Sequence, residues 1–305
     1  MYCCVKSRRR VLDLTKTILA AFALVSFAVP AAFVANAAGS GAGSSRAATP
    51  GAAVSFKSDK SRVVQRALRQ SVRVEVMARG KVARAASGVV VATEGNISYV
   101  LTNEHVVERD GLSSTASFEV VVERPKLHRL SARVIFEGHV PEEDLALLAV
   151  EGEKLDAVTI AAEDQVDVGD DVVVVGAPYG RSLSVSSGIV SQLETDEQDA
   201  HVQRSMKTDA PVGYGASGGG VFELPSGRLC GLVEGYRTAK VAFGGISKDD
   251  FSFDVPMPGE TFLSPPGKIH GFLIRAGIGK LAGLGDTRTL AGAPQSSAAP
   301  VARAQ

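Results

Sequence analysis

GYGASGGGVF, residues 213–222, sets five glycines within eight residues around a single serine, Ser217, and then passes into an apolar pair. Glycine gives up the most conformational entropy on folding, so such a cluster serves a geometry that other residues cannot adopt. One reading is a flexible linker. The other is a nucleophile on a tight turn with bare backbone N–H groups beside it. The segment that follows, GGGVFELPSGRLCGL, has the pattern of a hairpin rather than a helix.

Working outward, short β-branched runs surround this stretch. They are SGVVVAT (87–93), SYVLTN (98–103), SFEVVVE (117–123), RLSARVIF (129–136), LALLAV (145–150), AVTIA (157–161), DVVVVG (171–176), SLSVSSGIV (182–190) and LCGLVEG (230–235), with a period-two run at Val72, Val74 and Val76. Gly, Pro, Asp and Asn interrupt them, and no long amphipathic helix separates them. That excludes alternating β-α units and predicts an all-β protein, a sandwich or a barrel pair. Ser58-Asp59 caps a short predicted helix over residues 60–70, with Val63, Val64, Ala67 and Leu68 on one face. A closing helix is predicted over residues 268–284.

A serine hydroxyl is a poor nucleophile near neutral pH and needs a base, which needs an orienting partner. Of the five histidines, His128, His139, His201 and His270 lie in polar or loop-like contexts. His105 differs: it sits in TNEHVV, directly after a predicted strand. The candidate acid is Asp144 in EEDLALLAV, where a charged turn meets an apolar strand. The order is His105, Asp144, Ser217.

SGVVVATEGNISYVLTNEHVV, EEDLALLAV, GDDVVVVGAPYG, SSGIVSQL and TDAPVGYGASGGGVF stand in the order and approximate spacing of trypsin-like serine proteases. Across roughly residues 58–282 the chain most resembles their bacterial HtrA-type branch. The resemblance implies two six-stranded β-barrels with the site in the cleft between them. It implies that Ser217 attacks a peptide carbonyl, that His105 acts as general base and then acid, and that Asp144 holds the imidazole in its working tautomer. The backbone N–H groups of Gly215 and Ser217 would then form the oxyanion hole.

Two departures from that branch stand out, and a third from its pancreatic-type relatives. Ala216 replaces an Asn, and Gly220 replaces a Pro, both of which are expected to loosen the turn. Pancreatic-type relatives carry an Asp just before the serine that pairs with a freshly cut N-terminus; Ala216 offers no charge, which excludes activation by that salt bridge if Ser217 is the nucleophile. The resemblance puts the base of the primary specificity pocket near Ala210 and Pro211 and its wall along Val233, Glu234 and Gly235. No acid stands at that base, so small or medium apolar side chains are the expected choice, with Glu234 free to point either way.

Two rivals remain at this level. GASGG also fits the nucleophile elbow of α/β-hydrolases, but that elbow needs a following helix and a downstream acid and histidine, and only His270 lies downstream. A binding module of protease fold without turnover is the second rival, since fold alone does not establish function.

The chain of 305 residues has 33 basic and 33 acidic side chains, and its first 37 residues hold five of the former and one of the latter. No basic stripe suggests nucleic acid as a partner. A basic segment ending at Lys16, the apolar run at residues 18–34 and Ala35-Asn36-Ala37 read as an export signal, or alternatively as an uncleaved membrane anchor. Ser7-Arg-Arg-Arg-Val-Leu12 resembles a twin-arginine signal. Residues 38–57 read as a flexible linker, 58–285 as the protease domain and 286–305 as a disordered tail. Cys230 is the only cysteine past residue 4, in an apolar setting that predicts an inert buried thiol. His and Cys are too sparse for a metal site, and no cofactor is implied. The expected partners are polypeptide substrates. No PDZ domain is expected after residue 284, and a monomer is the expected state because residues 38–70 hold a single aromatic residue, Phe56.

Overall fold

The apolar runs bury both of their faces, and this organises the fold. In a strand, neighbouring side chains point to opposite sides. Val90, Val100, Ala146 and Leu148 therefore fill the inside of one barrel, together with Val72, Val74, Val76 and Val120. Their neighbours Val89, Val91, Leu101, Leu145 and Leu147 point outward and meet Val173, Val175, Phe222 and Leu232 from a second barrel. That second barrel is filled by Val172, Val174, Val190, Met206, Val221, Cys230 and Leu263. Full burial of a Val or Leu side chain stabilises by about 1.5–3 kcal/mol, so strands with two apolar faces hold each barrel together and also join the two.

The computed structural model describes residues 58–109, 116–196, 203–224, 226–243 and 251–284. The expected signal or anchor, linker and tail lie outside the described residues. The first barrel comprises β1 (Ser71–Ala78), β2 (Lys81–Glu94), β3 (Ile97–Thr102), β4 (Ser117–Val122), β5 (His128–Glu137) and β6 (Ala146–Glu151), closed in the order β1-β2-β3-β6-β5-β4. The second comprises β7 (Asp171–Gly176), β8 (Ser184–Thr195), β9 (Gln203–Thr208), β10 (Gly220–Glu223), β11 (Leu229–Phe243) and β12 (Phe251–Ser264), closed in the order β10-β11-β12-β9-β8-β7. The named pairings are antiparallel. Closure pairs the strands within each barrel on both sides, and an edge remains where β11 and β12 run on past the barrel as a two-stranded ribbon. The expected all-β pair of six-stranded barrels is thus what forms.

Three helices complete the described fold. Helix α1 (Asp59–Gln70) starts at Ser58, whose Oγ accepts from Ser61 N at 3.1 Å. It buries Val63, Ala67 and Leu68, as its apolar stripe predicts. Helix α2 (Glu104–Val107) is a single turn after β3. Helix α3 (Pro266–Arg275) buries Ile269, Phe272 and Leu273, and Phe272 packs on Phe136 with ring centroids 5.2 Å apart. The closing helix is shorter than expected. It stops at Arg275, and Gly277 follows in the left-handed region at φ +78°, where glycine commonly ends helices.

Three strand expectations need correction. Residues 157–161 form no strand beyond one bridge between Ile160 and Leu229. Strand β9 was not expected, because QRSMKT is polar and yet buries Gln203, Met206 and Thr208. Strand β12 was not expected because Pro256 and Pro258 interrupt it. Both lie where β12 pairs only with β11, since β9 engages only Thr261 to Leu263. A proline is tolerated on such an unpaired edge, where its missing N–H costs no ladder bond.

Candidate active site

Helix α2 presents His105. Its buried residues Val106 and Val107 anchor the turn in the first barrel's core. Asp144 closes the loop between β5 and β6, which is tied by Gly138 N to Leu145 O and by Glu143 N to His139 O, each 2.8 Å. Glu143 also pairs with Arg275 of α3. The fully buried Leu145 follows and fixes the direction of Asp144. Asn103 adds a hydrogen bond from Nδ2 to Asp144 O at 2.7 Å.

The carboxylate meets His105 twice. Oδ2 of Asp144 lies 2.7 Å from Nδ1, and Oδ1 accepts from the His105 backbone N–H at 3.0 Å. The carboxylate side chain is 16% exposed and the imidazole 43%. With Nδ1 engaged, Nε2 is the free nitrogen. Burial, and then the charges of Asp144, Glu108 and Glu137, raise the carboxyl of Glu104 above its ordinary range.

Ser217 and His105 line the same cavity, of about 120 Å³, with Arg84, Ala85, Ala86, Tyr214 and Tyr236. The Ser217 hydroxyl is directed to Glu234 O, to which it donates at 3.4 Å, near the limit for such a bond. Residues 215–217 carry six backbone polar groups, and four are engaged. Gly215 O accepts from Ser87 Oγ at 2.9 Å and Ser217 O from Ser87 N at 2.8 Å. Ala216 N donates to Gly213 O at 3.0 Å, and Ala216 O accepts from Gly219 N at 2.8 Å. The other two are the N–H groups of Gly215 and Ser217, which have no acceptor among the described residues. Gly215 holds φ +90°, and a Cβ there would come within 2.9 Å of Ala177 O. The turn therefore requires glycine at this position.

None of the five residues expected around the specificity pocket lines this cavity, although the Glu234 carbonyl meets the Ser217 hydroxyl. Ala210 and Val233 are fully buried in the second barrel's core beside Met206 and Leu263. Ala210 is fixed through its N to Thr208 Oγ1 and through its O from Thr261 Oγ1, both 3.1 Å. Pro211 is exposed. The Glu234 carboxylate turns to Ser264 Oγ at 2.6 Å and Lys268 Nζ at 3.5 Å. Gly235 has open space where a Cβ would be. The Gly220 departure has a packing reason. A Cβ at this position would stand 2.7 Å from both the Phe222 ring and Val89 Cγ2, so a side chain there has no room.

Sequence reasoning did not weigh Ser87, Tyr214 and Tyr236. Ser87 opens the run SGVVVAT, and nothing in that run marks its hydroxyl, which is fully buried and donates to Gly215 O. Tyr236 is raised above the ordinary phenol range by burial and then by Tyr179 and Tyr214, which groups the three rings. His270 stands on α3, its imidazole pushed down by burial and bonded to the Ala161 backbone. Burial also pushes the Cys230 thiol up, which fits an inert role. Among the described residues no three His, Cys, Asp or Glu side chains gather as metal ligands would.

Two closed six-stranded barrels thus bring a carboxylate-braced histidine and a glycine-set serine to one cavity. Residues 86–232 match the family described as "Trypsin-like peptidase domain". Curated homologues of the chain include "Probable periplasmic serine endoprotease DegP-like" of Ectopseudomonas mendocina, 32% identical over 193 residues, covering 63% of this chain and 37% of that protein. The protein of the same name from Pseudomonas fluorescens is 30% identical over 183 residues, covering 60% and 36%. The matched region thus spans little more than a third of these relatives. Among solved structures, the serine endoprotease from Yersinia pestis matches with TM-score 0.54 at 22% identity, covering 72% of this chain and 66% of that one. The HtrA-type protease AlgW, solved with a tripeptide, matches with TM-score 0.54 at 24% identity, covering 72% and 65%. These structural likenesses extend the agreement in fold.

Proposed function

We propose that this protein is a serine endopeptidase that hydrolyses peptide bonds in exported polypeptides. The observation that carries the reading is the pairing of a braced imidazole with the Gly215 and Ser217 amides, the two among residues 215–217 that have no acceptor among the described residues. In the proposed cycle, rotation about χ1 brings Ser217 Oγ from Glu234 O to His105 Nε2. The imidazole takes the hydroxyl proton as Oγ attacks the carbonyl carbon, and Asp144 stabilises the imidazolium. The N–H groups of Gly215 and Ser217 receive the developing oxyanion. A single such donor contributes on the order of 3 kcal/mol to the transition state. His105 then protonates the leaving amine, and water repeats the sequence to release the acyl group.

One feature supports an apolar residue beside the scissile bond: the cavity next to Ser217 is lined by Ala85, Ala86 and Val106 and by no acidic side chain. The signal-like N-terminus and the periplasmic naming of the relatives support an exported protein, either released or held by that segment as a membrane tether. The tripeptide with which the HtrA-type protease AlgW was solved supports polypeptide substrates.

One observation favours the alternative of a protease-fold binding module, namely the Ser217 hydroxyl directed to Glu234 O. The two readings separate on incubation with casein. The wild-type protein is expected to fragment it, and Ser217→Ala is expected to leave it intact. An inert wild type of native fold favours the binding module.

A further inference from the structure

The direction of the Tyr214–Gly215 peptide decides whether the Gly215 N–H faces the cavity. A trans peptide holds its C=O and N–H on opposite sides. Tyr214 O accepts from Tyr179 N at 2.6 Å, so the Gly215 N–H is directed away from Tyr179. The Tyr179 amide is thus the fixed point of the turn. Yet Tyr179 sits at φ +57°, ψ 25° within the 3-10 turn Pro178–Gly180. The left-handed region is unfavourable for a bulky residue, and such a residue persists only where its surroundings over-determine it.

The surroundings that hold it belong to the first barrel. Before the turn, Ala177 N donates to Ser87 Oγ at 2.8 Å. After it, Arg73 Nη1 donates to Arg181 O at 3.2 Å, and Leu183 N donates to Glu123 Oε2 at 3.0 Å. The second pair of bonds comes from one ionic cluster. Arg73 also binds Glu123 Oε1 at 2.8 Å and Glu75 Oε1 at 2.9 Å. Arg129 closes the cluster onto Glu75 and onto Glu119. The side chains of Arg73, Glu75 and Glu123 are 11%, 4% and 13% exposed. A cluster this buried is costly to desolvate and adds little net stability over an apolar replacement. Its two bonds to residues 181 and 183 give it a use that packing alone does not.

We propose that Glu123 is a positioning residue for the oxyanion site. Together with Arg73 it holds residues 181–183 of the second barrel, so that the strained Tyr179 amide fixes the Tyr214–Gly215 peptide with its N–H toward the cavity. The catalytic consequence rests on the endopeptidase reading above. The structural coupling does not.

Glu123→Gln tests both parts. It keeps an oxygen for Leu183 N but replaces the charge that Arg73 needs. Arg129→Gln is the control, since it disturbs the same cluster without touching residues 181–183. Hydrogen–deuterium exchange of the intact protein is read over residues 178–183 and 213–217. The expected result is faster exchange at the Tyr179 amide in Glu123→Gln and not in Arg129→Gln. With a peptide substrate, kcat is expected to fall on the order of 10²-fold, the effect of losing an oxyanion donor, with KM nearly unchanged. Should Glu123→Gln not fold, Glu123→Asp keeps the charge and shortens the reach to Leu183, with the same expectations. Unchanged exchange at Tyr179 overturns the proposal whether or not the protein cleaves peptides. So does a kcat loss no larger than that of Arg129→Gln in an active protein. Faster Tyr179 exchange in a protein whose wild type has no turnover supports the coupling and counts against the enzyme reading instead.

Discussion

Asp144→Asn is expected to lower kcat by about 10⁴-fold, the size of the same change in a related triad, while the protein stays folded. The reason lies in two hydrogen bonds. Oδ1 of Asp144 accepts from the His105 backbone N–H, and Oδ2 meets Nδ1. An Asn has one oxygen and one NH₂. The backbone N–H can only donate, so the Asn oxygen must stay with it. The NH₂ then faces Nδ1, which must become an acceptor. The ring's remaining proton moves to Nε2, the nitrogen that is meant to receive a proton from Ser217. The variant therefore keeps its packing and loses its base. Steady-state kinetics with a circular dichroism melt checks both halves. A variant with near-wild-type kcat shows that Asp144 does not set the tautomer.

Gly218→Ala is expected to damage both fold and activity. Gly218 has φ +78°, and a Cβ built on it would lie 2.1 Å from Ser87 O and 2.5 Å from Thr102 Oγ1. The first of these is backbone of β2, held by Ser87 N donating to Ser217 O and by Thr102 Oγ1 donating to Ser87 O. Relief requires the serine turn to withdraw from the first barrel. Left-handed strain of about 1–2 kcal/mol and overpacking of about 1–3 kcal/mol together suggest a loss of roughly 3 kcal/mol. For a domain of this size that corresponds to roughly 10 °C in Tm. A displacement of even 1 Å at the nucleophile lowers turnover by a further factor on the order of 10². A melt and a kcat close to those of the wild type show that the turn is looser than its hydrogen bonds imply.

The two predictions draw on different levels of the chain. The barrel pair was legible because strands such as residues 89–92 and 172–175 are apolar on successive positions, which marks burial on both faces. Strand β9 was not legible. Its buried Gln203 Nε2 and Thr208 Oγ1 donate to Glu163 O and Ile189 O, partners 40 and 19 residues away that no local pattern reveals. Strand β12 was hidden by Pro256 and Pro258, whose tolerance depends on β9 being short. At the site, residue types and order brought out His105, Asp144 and Ser217. What the order left undetermined was the direction of each polar atom: that Glu234 turns to Ser264, and that the Ser217 hydroxyl is directed to Glu234 O. The Ser87 clamp and the Arg73–Glu123 cluster were equally hidden, because both join segments more than 50 residues apart. Long-range polar contacts carry no periodicity, so a single sequence gives them no signal.

In the proposed cycle His105 and the Gly215 and Ser217 amides make one hydroxyl, that of Ser217, an unusually strong nucleophile. Reaction with a fluorophosphonate, followed by mass spectrometry of the peptide containing residue 217, tests this without any knowledge of the natural substrate. The account predicts one phosphonyl adduct on Ser217 in the wild type, and none there in His105→Ala under the same conditions. A folded wild type that acquires no adduct, or equal labelling of Ser217 with and without His105, contradicts it.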